Sequence, residues 1–515
     1  MLKRINDRLA QLTPERLRGM RRGVEKESLR VLPSGALALT PHPMALGAAL
    51  THARITTDYS ESQLELITGA HADVQACVQE LTQIHQFVYR TLQQAGGEML
   101  WVASMPCGLP TDETIPIGQY GTSNIGHAKS VYRMGLGHRY GRRMQTISGI
   151  HYNWSLPGLG NDEYFALIRN FKRHSFMLLT LFGASPAVCS SFVAGRNHEL
   201  QALSPHTLHL PHATSLRMGR LGYQSDAQSQ ISVSYNNLES YAASLQEALT
   251  KPYPPYEAIG VRNPGGEYNQ LATTLLQIEN EFYGTIRPKR VIRSGERPLH
   301  ALRDRGVEYV EVRCMDLDPF VSVGIEAPTM RFIDLFLLHC LLSDSPPDSR
   351  DEIAALARNQ HAAAARGREL GLRLERGRGR VTLADWGAEL IEACSPIAAR
   401  LDGAFGGSEY RDALTAAQKS WHTPQQLPSA RVLQQIAQAD GCAYTAFVHD
   451  RALQTQQQLL ALPWSRDQQA RFEREAQQSL AEQAAIEQAD TMPFEAFRQD
   501  YVAPDRLMPA LATAA

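Results

Sequence analysis

Two acidic residues, Glu25 and Glu27, lie two positions apart in an otherwise mixed segment near the start of the chain. Because alternate residues of a β-strand point to the same face, a strand here would direct both carboxylates the same way. An isolated pair of this kind is more often a solvated strand face than a site, since charged surface strands are common. The pair becomes informative only if other segments carry matching faces.

Four further segments also alternate between apolar and polar residues. In one of them Glu65 lies between Leu64 and Leu66, shortly after Asp58, in a run otherwise suited to burial. A carboxylate flanked by core residues is costly unless a cation or strong hydrogen-bond donors lie nearby. A lone histidine on a strand is more often structural than a ligand, so the faces must be interpreted together. The other three polar faces consist of His151, Asn153 and Ser155; of Glu279, Glu281 and Tyr283; and of Tyr309, Glu311 and Arg313.

Such strands predict a curved, largely antiparallel sheet that buries one face and lines an anionic, funnel-shaped cavity with the other. Oxygen ligands favour Mg²⁺ or Mn²⁺, and one neutral imidazole is compatible with either ion. Zinc would require more histidine or cysteine at short spacing. With Arg313 facing the same space, the pattern is typical of a phosphoryl-transfer site. The chain has no GxxxxGK[ST] loop, so ATP would be held by metals and sheet residues.

The elements that must position these residues follow from the same patterns. Period-two alternation predicts strands over residues 23–32, 64–68, 148–156, 276–283 and 307–315. An apolar stripe at helical spacing predicts a helix over residues 71–94, and strong helix formers predict another over 468–489.

The composition changes along the chain. Residues 1–345 mix short β-like runs with Gly, Pro and aromatic residues and are predicted to form a catalytic α+β region surrounded by helices. Residues 346–515 are rich in Ala, Gln, Arg, Glu and Leu and are expected to form a mostly helical part that packs on the first as one structural unit. The segments 343–349 and 366–380 contain the turn residues and charges of surface connections.

Bulk composition restricts the class of protein. The 515 residues are 43% hydrophobic and 20% charged, with a formal net charge of −2, so the chain can bury a large core and has no global attraction to nucleic acid or membranes. The start lacks the apolar run of a signal peptide. The seven scattered cysteines argue against a disulfide framework or a structural zinc site, and a reducing cytoplasm is expected.

The sequence resembles the proteobacterial glutamate–cysteine ligases, which have a glutamine-synthetase-like fold. The similarity covers most of the first 320 residues. It runs through the segments 23–30, 57–58, 104–107, 119–124, 144–153, 213–218, 278–281, 286–290 and 308–313. The resemblance implies an ATP-dependent ligase that joins L-glutamate to L-cysteine through a γ-glutamyl phosphate, the first step of glutathione biosynthesis.

The family's pattern also implies individual roles. Glu27, Asp58 and Glu65 are expected around one cation, and Glu25, His151 and Glu311 around another. Arg313 would stabilise the transferred phosphoryl group. For the cysteine substrate the pattern indicates Arg217 against its carboxylate and a small pocket formed by Tyr132, Tyr223 and Tyr283, whereas Gln145 and Arg133 would contact substrate or phosphate.

Structural interpretations compete with these roles, because buried tyrosines are common and the arginine of the 213–218 segment could cap a helix. The rival functions are another carboxylate–amine ligase or a guanidino kinase of the same fold, and a non-catalytic metabolite- or polyanion-binding protein. The resemblance leaves open the strictness of acceptor selection, the adenine pocket and whether glutathione acts as a feedback inhibitor. A monomer or weak oligomer is expected.

Overall fold

The computed structural model describes residues 2–221, 226–229, 231–293 and 295–508. Within these residues no helix is both long and apolar enough to cross a membrane. The described residues contain twelve strands, β1 (Arg21–Val31), β2 (Ile55–Thr57), β3 (Gln63–Ile67), β4 (Met99–Leu100), β5 (Ile150–Ser155), β6 (Ala187–Cys189), β7 (Gln201–Ser204), β8 (Thr207–His209), β9 (Ile286–Lys289), β10 (Tyr309–Met315), β11 (Arg373–Arg376) and β12 (Gly379–Thr382).

The α-helices of the described residues surround these strands. They are α1 (Leu2–Ala10), α2 (Pro14–Arg18), α3 (Val74–Gln94), α4 (Asn124–Tyr140), α5 (Arg142–Gln145), α6 (Asn161–His174), α7 (Phe176–Phe182), α8 (Asp226–Ser229), α9 (Leu238–Thr250), α10 (Pro254–Ile259), α11 (Pro298–Arg305), α12 (Ala327–Leu342), α13 (Arg350–Arg366), α14 (Leu383–Phe405), α15 (Glu409–His422), α16 (Pro428–Gln438), α17 (Tyr444–Ala461), α18 (Arg466–Ala489) and α19 (Phe494–Val502). The chain is thus mixed α+β with a mostly helical C-terminal region.

The main sheet has seven strands in the order β2-β3-β1-β5-β10-β9, with β4 pairing to β1, and each of these pairs is antiparallel. Strands β6, β8 and β7 form a second sheet, and β11 and β12 form a hairpin. One face of the main sheet is covered by α3, α6 and α7, which contact β1, β9 and β10. The other face carries most of the polar residues predicted above.

The C-terminal region is tied to this sheet by a buried ionic group. Arg22 of β1 lies 3.1 Å from Asp334 of α12, and both side chains are fully buried. The same carboxylate accepts hydrogen bonds from the hydroxyls of Tyr152 on β5, at 2.8 Å, and Tyr410 on α15, at 3.2 Å. The ion pair joins β1 to α12, and the Tyr410 hydroxyl connects α15, a helix after residue 346, to the same buried group.

One predicted strand is wrong. Residues 276–283 do not form a strand, and Glu279–Glu281 is a short 3₁₀ helix. The carboxylate of Glu281 accepts a hydrogen bond from the Gln277 backbone N–H at 2.7 Å and pairs with Arg139 at 2.8 Å. These local contacts close a turn where strand alternation had suggested an extended segment.

Two other expectations also differ from the structure. The segment 366–380 is not wholly a connection, because part of it forms the β11–β12 hairpin, which turns at Gly377 with φ of 59°. The argument against a disulfide framework is modified by a single disulfide among the described residues: Cys107 and Cys189 are joined with a Cα–Cα distance of 5.4 Å, and the other five cysteines are free. The separation of 82 residues between the two bonded cysteines explains why spacing along the sequence gave no signal for this bond.

Candidate active site

The strand register gathers the predicted acidic residues on one face of the main sheet. Glu25 on β1 is opposite His151 on β5, and Glu27 is opposite Glu65 on β3. Glu311 on β10 is opposite Asn153, the next residue on the polar face of β5. Four neighbouring strands therefore supply one continuous polar surface, as the alternation predicted.

The first cluster on this surface consists of Glu27, Asp58 and Glu65. Each contributes a carboxylate oxygen, and the three oxygens lie within 4.8 Å of one another. Asp58 follows directly after β2, whereas Glu27 and Glu65 come from paired positions on β1 and β3. This is the grouping that the sequence predicted around one cation.

The second cluster differs in one member from its prediction. Glu25, Glu65 and His151 present ligand atoms within 4.8 Å of one another. The Nδ1 atom of His151 lies 3.2 Å from Glu25 and 3.8 Å from Glu311. Glu65 therefore lies between the two clusters, and Glu311 is at the edge of the second one. Asn153 orients Glu25 by donating a hydrogen bond at 2.8 Å.

The carboxylates of this surface fall into two groups, according to whether their pKa is raised or lowered. Burial, together with repulsion from Glu25, Asp58 and Glu27, holds the pKa of Glu65 well above its ordinary value. Burial and the charge of Asp58 raise the pKa of Glu27 as well. Burial opposes ionisation of Glu25 too, but its hydrogen bond with His151 holds the pKa below the ordinary value. Glu27 and Glu65 are thus the carboxylates that most lack positive charge.

Glu311 is already neutralised by cations of this chain. Its side chain lies 3.4 Å from Lys289 Nζ and 3.1 Å from Arg313 Nη1. Burial opposes ionisation, yet these two cations hold the pKa of Glu311 well below its ordinary range. Arg313 also lies 3.4 Å from His151, so its guanidinium is fixed beside the second cluster. Lys289 belongs to a segment that supported the resemblance but was not predicted as a site residue.

Arg217 is buried next to this surface and is held by backbone and side-chain groups. It donates to the carbonyl of Arg313 at 3.0 Å and lies 4.0 Å from Asp316. A Cβ atom at position 149 would lie 2.0 Å from its Nη2, so only Gly149 leaves room for the guanidinium. Asp316 in turn accepts hydrogen bonds from Ser185 and Ser215 at 2.6 and 2.9 Å. Asp316 and Gly149 are contributors that sequence reasoning missed.

A cavity of about 590 Å³ opens beside Arg217, Tyr283 and Arg313. The hydroxyl of Tyr283 contacts the side-chain amide of Gln145 at 3.0 Å. The ring of Tyr283 also packs edge-on against Tyr140, with 5.9 Å between centroids. Lys172 and Arg350 belong to the same cavity wall, so the space accepts anionic groups as well as a small apolar one.

The remaining predicted substrate residues lie in different surroundings. Tyr132 is half-buried on α4 among apolar side chains. Arg133 donates to the backbone carbonyl of Asp58 and to that of Lys129, and it stacks on Tyr120, so it supports the loop that presents Asp58. Tyr223 lies outside the described residues.

Similar proteins share this architecture over nearly the whole chain. A family model described as glutamate-cysteine ligase matches residues 7–363. The chain is 48% identical to the glutamate–cysteine ligase of Azotobacter vinelandii, covering 95% of each chain, and 45% identical to that of Alcanivorax borkumensis, covering 94% and 96%. A crystal structure of the Francisella tularensis glutamate–cysteine ligase in complex with AMP superposes with a TM-score of 0.89 at 34% identity, covering 94% and 97%.

Proposed function

The chain belongs to the glutamate–cysteine ligase family, and from that premise we propose how its own residues carry out the reaction. As a glutamate–cysteine ligase it catalyses the first step of glutathione synthesis and belongs to a family of ATP-dependent ligases. The observation that supports the mechanism is a largely buried polar face in which carboxylate oxygens of Glu27, Asp58 and Glu65 lie within 4.8 Å of one another, with His151 3.5 Å from Glu27.

Divalent cations fit this donor set. The converging atoms are carboxylate oxygens and one imidazole nitrogen, which are the ligands that Mg²⁺ and Mn²⁺ prefer. Glu27, Asp58 and Glu65 would hold one ion, and Glu25 with His151 would hold another, with Glu65 or Glu311 as the third ligand. When bound, the ions neutralise phosphate oxygens of ATP and reduce their repulsion of the glutamate carboxylate.

In the first step an oxygen of the glutamate γ-carboxylate attacks the γ-phosphorus of ATP. A new O–P bond forms, the bond between that phosphorus and the ADP oxygen breaks, and ADP leaves. An amine cannot displace oxide from a carboxylate, so this activation to γ-glutamyl phosphate is required. Arg313 provides charge for the transferred group and is fixed in position by Glu311 and His151.

In the second step the amine of cysteine attacks the acyl carbon. The C–N bond forms as the C–O bond to phosphate breaks, phosphate leaves and the ammonium proton is released. Arg217 would pair with the cysteine carboxylate, since Asp316 and Gly149 hold its guanidinium beside the cavity. Tyr283, positioned by Gln145, would close the pocket around the small thiol side chain together with Tyr132 and Tyr223.

The architecture is consistent with a glutamine-synthetase-like sheet whose polar face forms the wall of a funnel. We assign residues 1–345 as the catalytic part and 346–515 as a helical part that supports it, and the Asp334 network between β1, β5 and α15 favours a single structural unit. We also place the reaction in the cytoplasm, where the substrates glutamate, cysteine and ATP are available.

An isotope experiment tests the acyl phosphate directly. Glutamate labelled with ¹⁸O in its γ-carboxylate is incubated with the protein, ATP, Mg²⁺ and cysteine. One ¹⁸O atom is expected in the released phosphate, because the attacking oxygen leaves with it. Unlabelled phosphate alongside γ-glutamylcysteine would exclude the intermediate.

A panel of amines then tests acceptor recognition. Sustained ADP release beyond a single turnover should require both glutamate and an amine, and mass spectrometry should place the new bond on the γ-carboxylate. An Arg217→Ala variant should raise the KM for cysteine more than that for ATP, whereas an equal rise in both would contradict the assignment of Arg217 to the cysteine carboxylate.

A further inference from the structure

Three potential metal ligands lie together on the side of the sheet opposite the carboxylate cavity. His174 ends α6, and His339 and Cys340 lie in the last turn of α12. One ligand atom of each residue lies within 4.8 Å of the other two. Helix α12 packs behind the sheet, where Tyr152 on the apolar face of β5 reaches Asp334 of the same helix. The cluster is therefore separate from the carboxylate clusters.

Both imidazoles have an unused ring nitrogen. The Nδ1 atoms of His174 and His339 are buried and have no hydrogen-bond partner among the described residues, and the two residues are 7% and 0% exposed. A buried polar atom without a partner costs free energy, so such atoms call for an explanation. Ring packing against Trp386, at 5.8 Å from His174, fixes one ring but does not satisfy its nitrogen.

An outer contact of the kind found around metal sites is also present. His339 Nε2 lies 3.4 Å from the hydroxyl of Ser343, the kind of outer contact that orients a ligating histidine.

Two nitrogens and one sulfur are a different donor set from the oxygens of the cavity. Mg²⁺ binds such ligands poorly, whereas Zn²⁺ is commonly bound by histidine and cysteine. We propose that His174, His339 and Cys340 form a Zn²⁺ site that joins α6 to α12. Binding converts the Cys340 thiol to a thiolate and releases its proton to solvent.

An ion at this position would stabilise the helices that support strands β9 and β10. Helix α6 packs on β9 and β10, the strands that carry Lys289, Glu311 and Arg313. An ion that ties the end of α6 to α12 would stabilise the support beneath these residues. Burial and then the charge of Cys394 on α14 raise the pKa of Cys340 well above its ordinary value, so a further sulfur lies beside the cluster. The sequence gave no signal, because the ligands come from separate helices.

Cobalt substitution tests the proposal independently of activity. The full chain, stripped of metal and kept reduced, is titrated with Co²⁺ in excess Mg²⁺, which saturates the carboxylate clusters. One equivalent of Co²⁺ should give a sulfur-to-metal charge-transfer band in the near ultraviolet, and added Zn²⁺ should remove the band. Absence of the band in the unmodified chain would overturn the proposal.

Variants identify the ligands. Cys340→Ala should abolish the band, and His174→Gln should weaken Zn²⁺ binding by at least about tenfold, the loss seen even for outer contacts of a metal site. Cys442→Ala is the matched control, because Cys442 is a more accessible free thiol outside the cluster. A band that survives Cys340→Ala or disappears in Cys442→Ala contradicts the assignment. If Cys340→Ala does not fold, His174→Gln decides, and unchanged affinity in that variant excludes the site.

Discussion

Two of the chain's glutamate pairs, Glu25 with Glu27 and Glu279 with Glu281, have identical spacing, and the structure uses them in opposite ways. Glu25 and Glu27 lie on β1 and face a surface shared with Asp58 and Glu65, and at Glu65 burial and repulsion from the other three carboxylates outweigh the attraction of Arg313. Glu279 and Glu281 lie in a 3₁₀ turn, and each has an arginine of its own. Arg297 is 2.6 Å from Glu279, and Arg139 is 2.8 Å from Glu281.

The difference shows what separates a functional carboxylate from a structural one in this molecule. A buried carboxylate normally needs a paired cation, and the Glu279–Glu281 turn meets that need within the chain. The Glu25–Glu27 strand does not, which raises the pKa of Glu27 and of its neighbour Glu65. The unmet negative charge is what a bound metal cation would balance. The distinction can be tested by changing residues of the polar face and, separately, residues of the Glu279–Glu281 turn.

The largest effect is expected at Arg313, the arginine that faces the reacting groups. Arg313→Ala should lower kcat about 10³-fold or more, as loss of a transition-state arginine does in phosphoryl transfer. Steady-state ADP release measures the change. The melting temperature should change little, because Lys289 still neutralises Glu311. Arg313→Lys is the matched control and should recover only part of the rate, since lysine lacks the planar fork. A kcat within tenfold of the unmodified protein in Arg313→Ala would remove Arg313 from the mechanism.

Glu65→Gln should separate activity from stability. Losing a ligand shared by both clusters should reduce kcat by about 10²-fold, comparable with removal of one group that stabilises the transition state. In metal-free buffer the same variant should melt at a higher temperature than the unmodified chain, because repulsion from Glu25, Asp58 and Glu27 is relieved. Thermal unfolding with and without Mg²⁺ measures both effects. A variant that is less stable without metal would show that Glu65 is a structural residue.

Glu279→Gln should have the reverse result, a loss of stability with little loss of activity. The change leaves Arg297 buried beside a neutral amide, so the free energy of unfolding should fall by about 3 kcal/mol, the cost of breaking a buried pair. The rate of the remaining folded protein should be nearly unchanged, because Glu279 does not face the cavity. Asp500→Asn is the matched control at an exposed pair, where a change below about 1 kcal/mol is expected. Equal losses in the two variants would contradict the role of burial.

Alternation along the strands was enough to predict β1, β3, β5 and β10 and the face they share. It failed over residues 276–283, because the pairing of Glu279 and Glu281 with arginines distant in sequence decides the local conformation. Strand spacing does not contain that information.

The two carboxylate clusters were predictable in composition but not in full membership. Residue types and family pattern identified Glu27, Asp58 and Glu65 together, whereas the place of Glu65 in both clusters depends on the register of β1 with β3 and β5. The support given to Arg217 by Asp316 and Gly149 also follows only from tertiary packing.

Acid should weaken the start of β2, the strand that ends directly before Asp58. His52 Nδ1 accepts hydrogen bonds from the backbone N–H groups of Arg54 and Ile55, each at 3.0 Å, and so anchors the start of β2. Burial and then Arg54 lower its pKa to about 4, below the ordinary 6.5. Between these values the unfolded chain binds the proton that the folded chain rejects, so the stability contributed by neutral His52 is lost as pH falls.

The expected slope is about 1 kcal/mol per pH unit between the two pKa values. Chemical denaturation across that range measures it, and His52→Gln should reduce the slope by this amount while the other buried histidines contribute as before. If His52→Gln leaves the pH dependence of stability unchanged, neutral His52 does not anchor β2, the strand before Asp58. The acid sensitivity of this region must then come from its carboxylates.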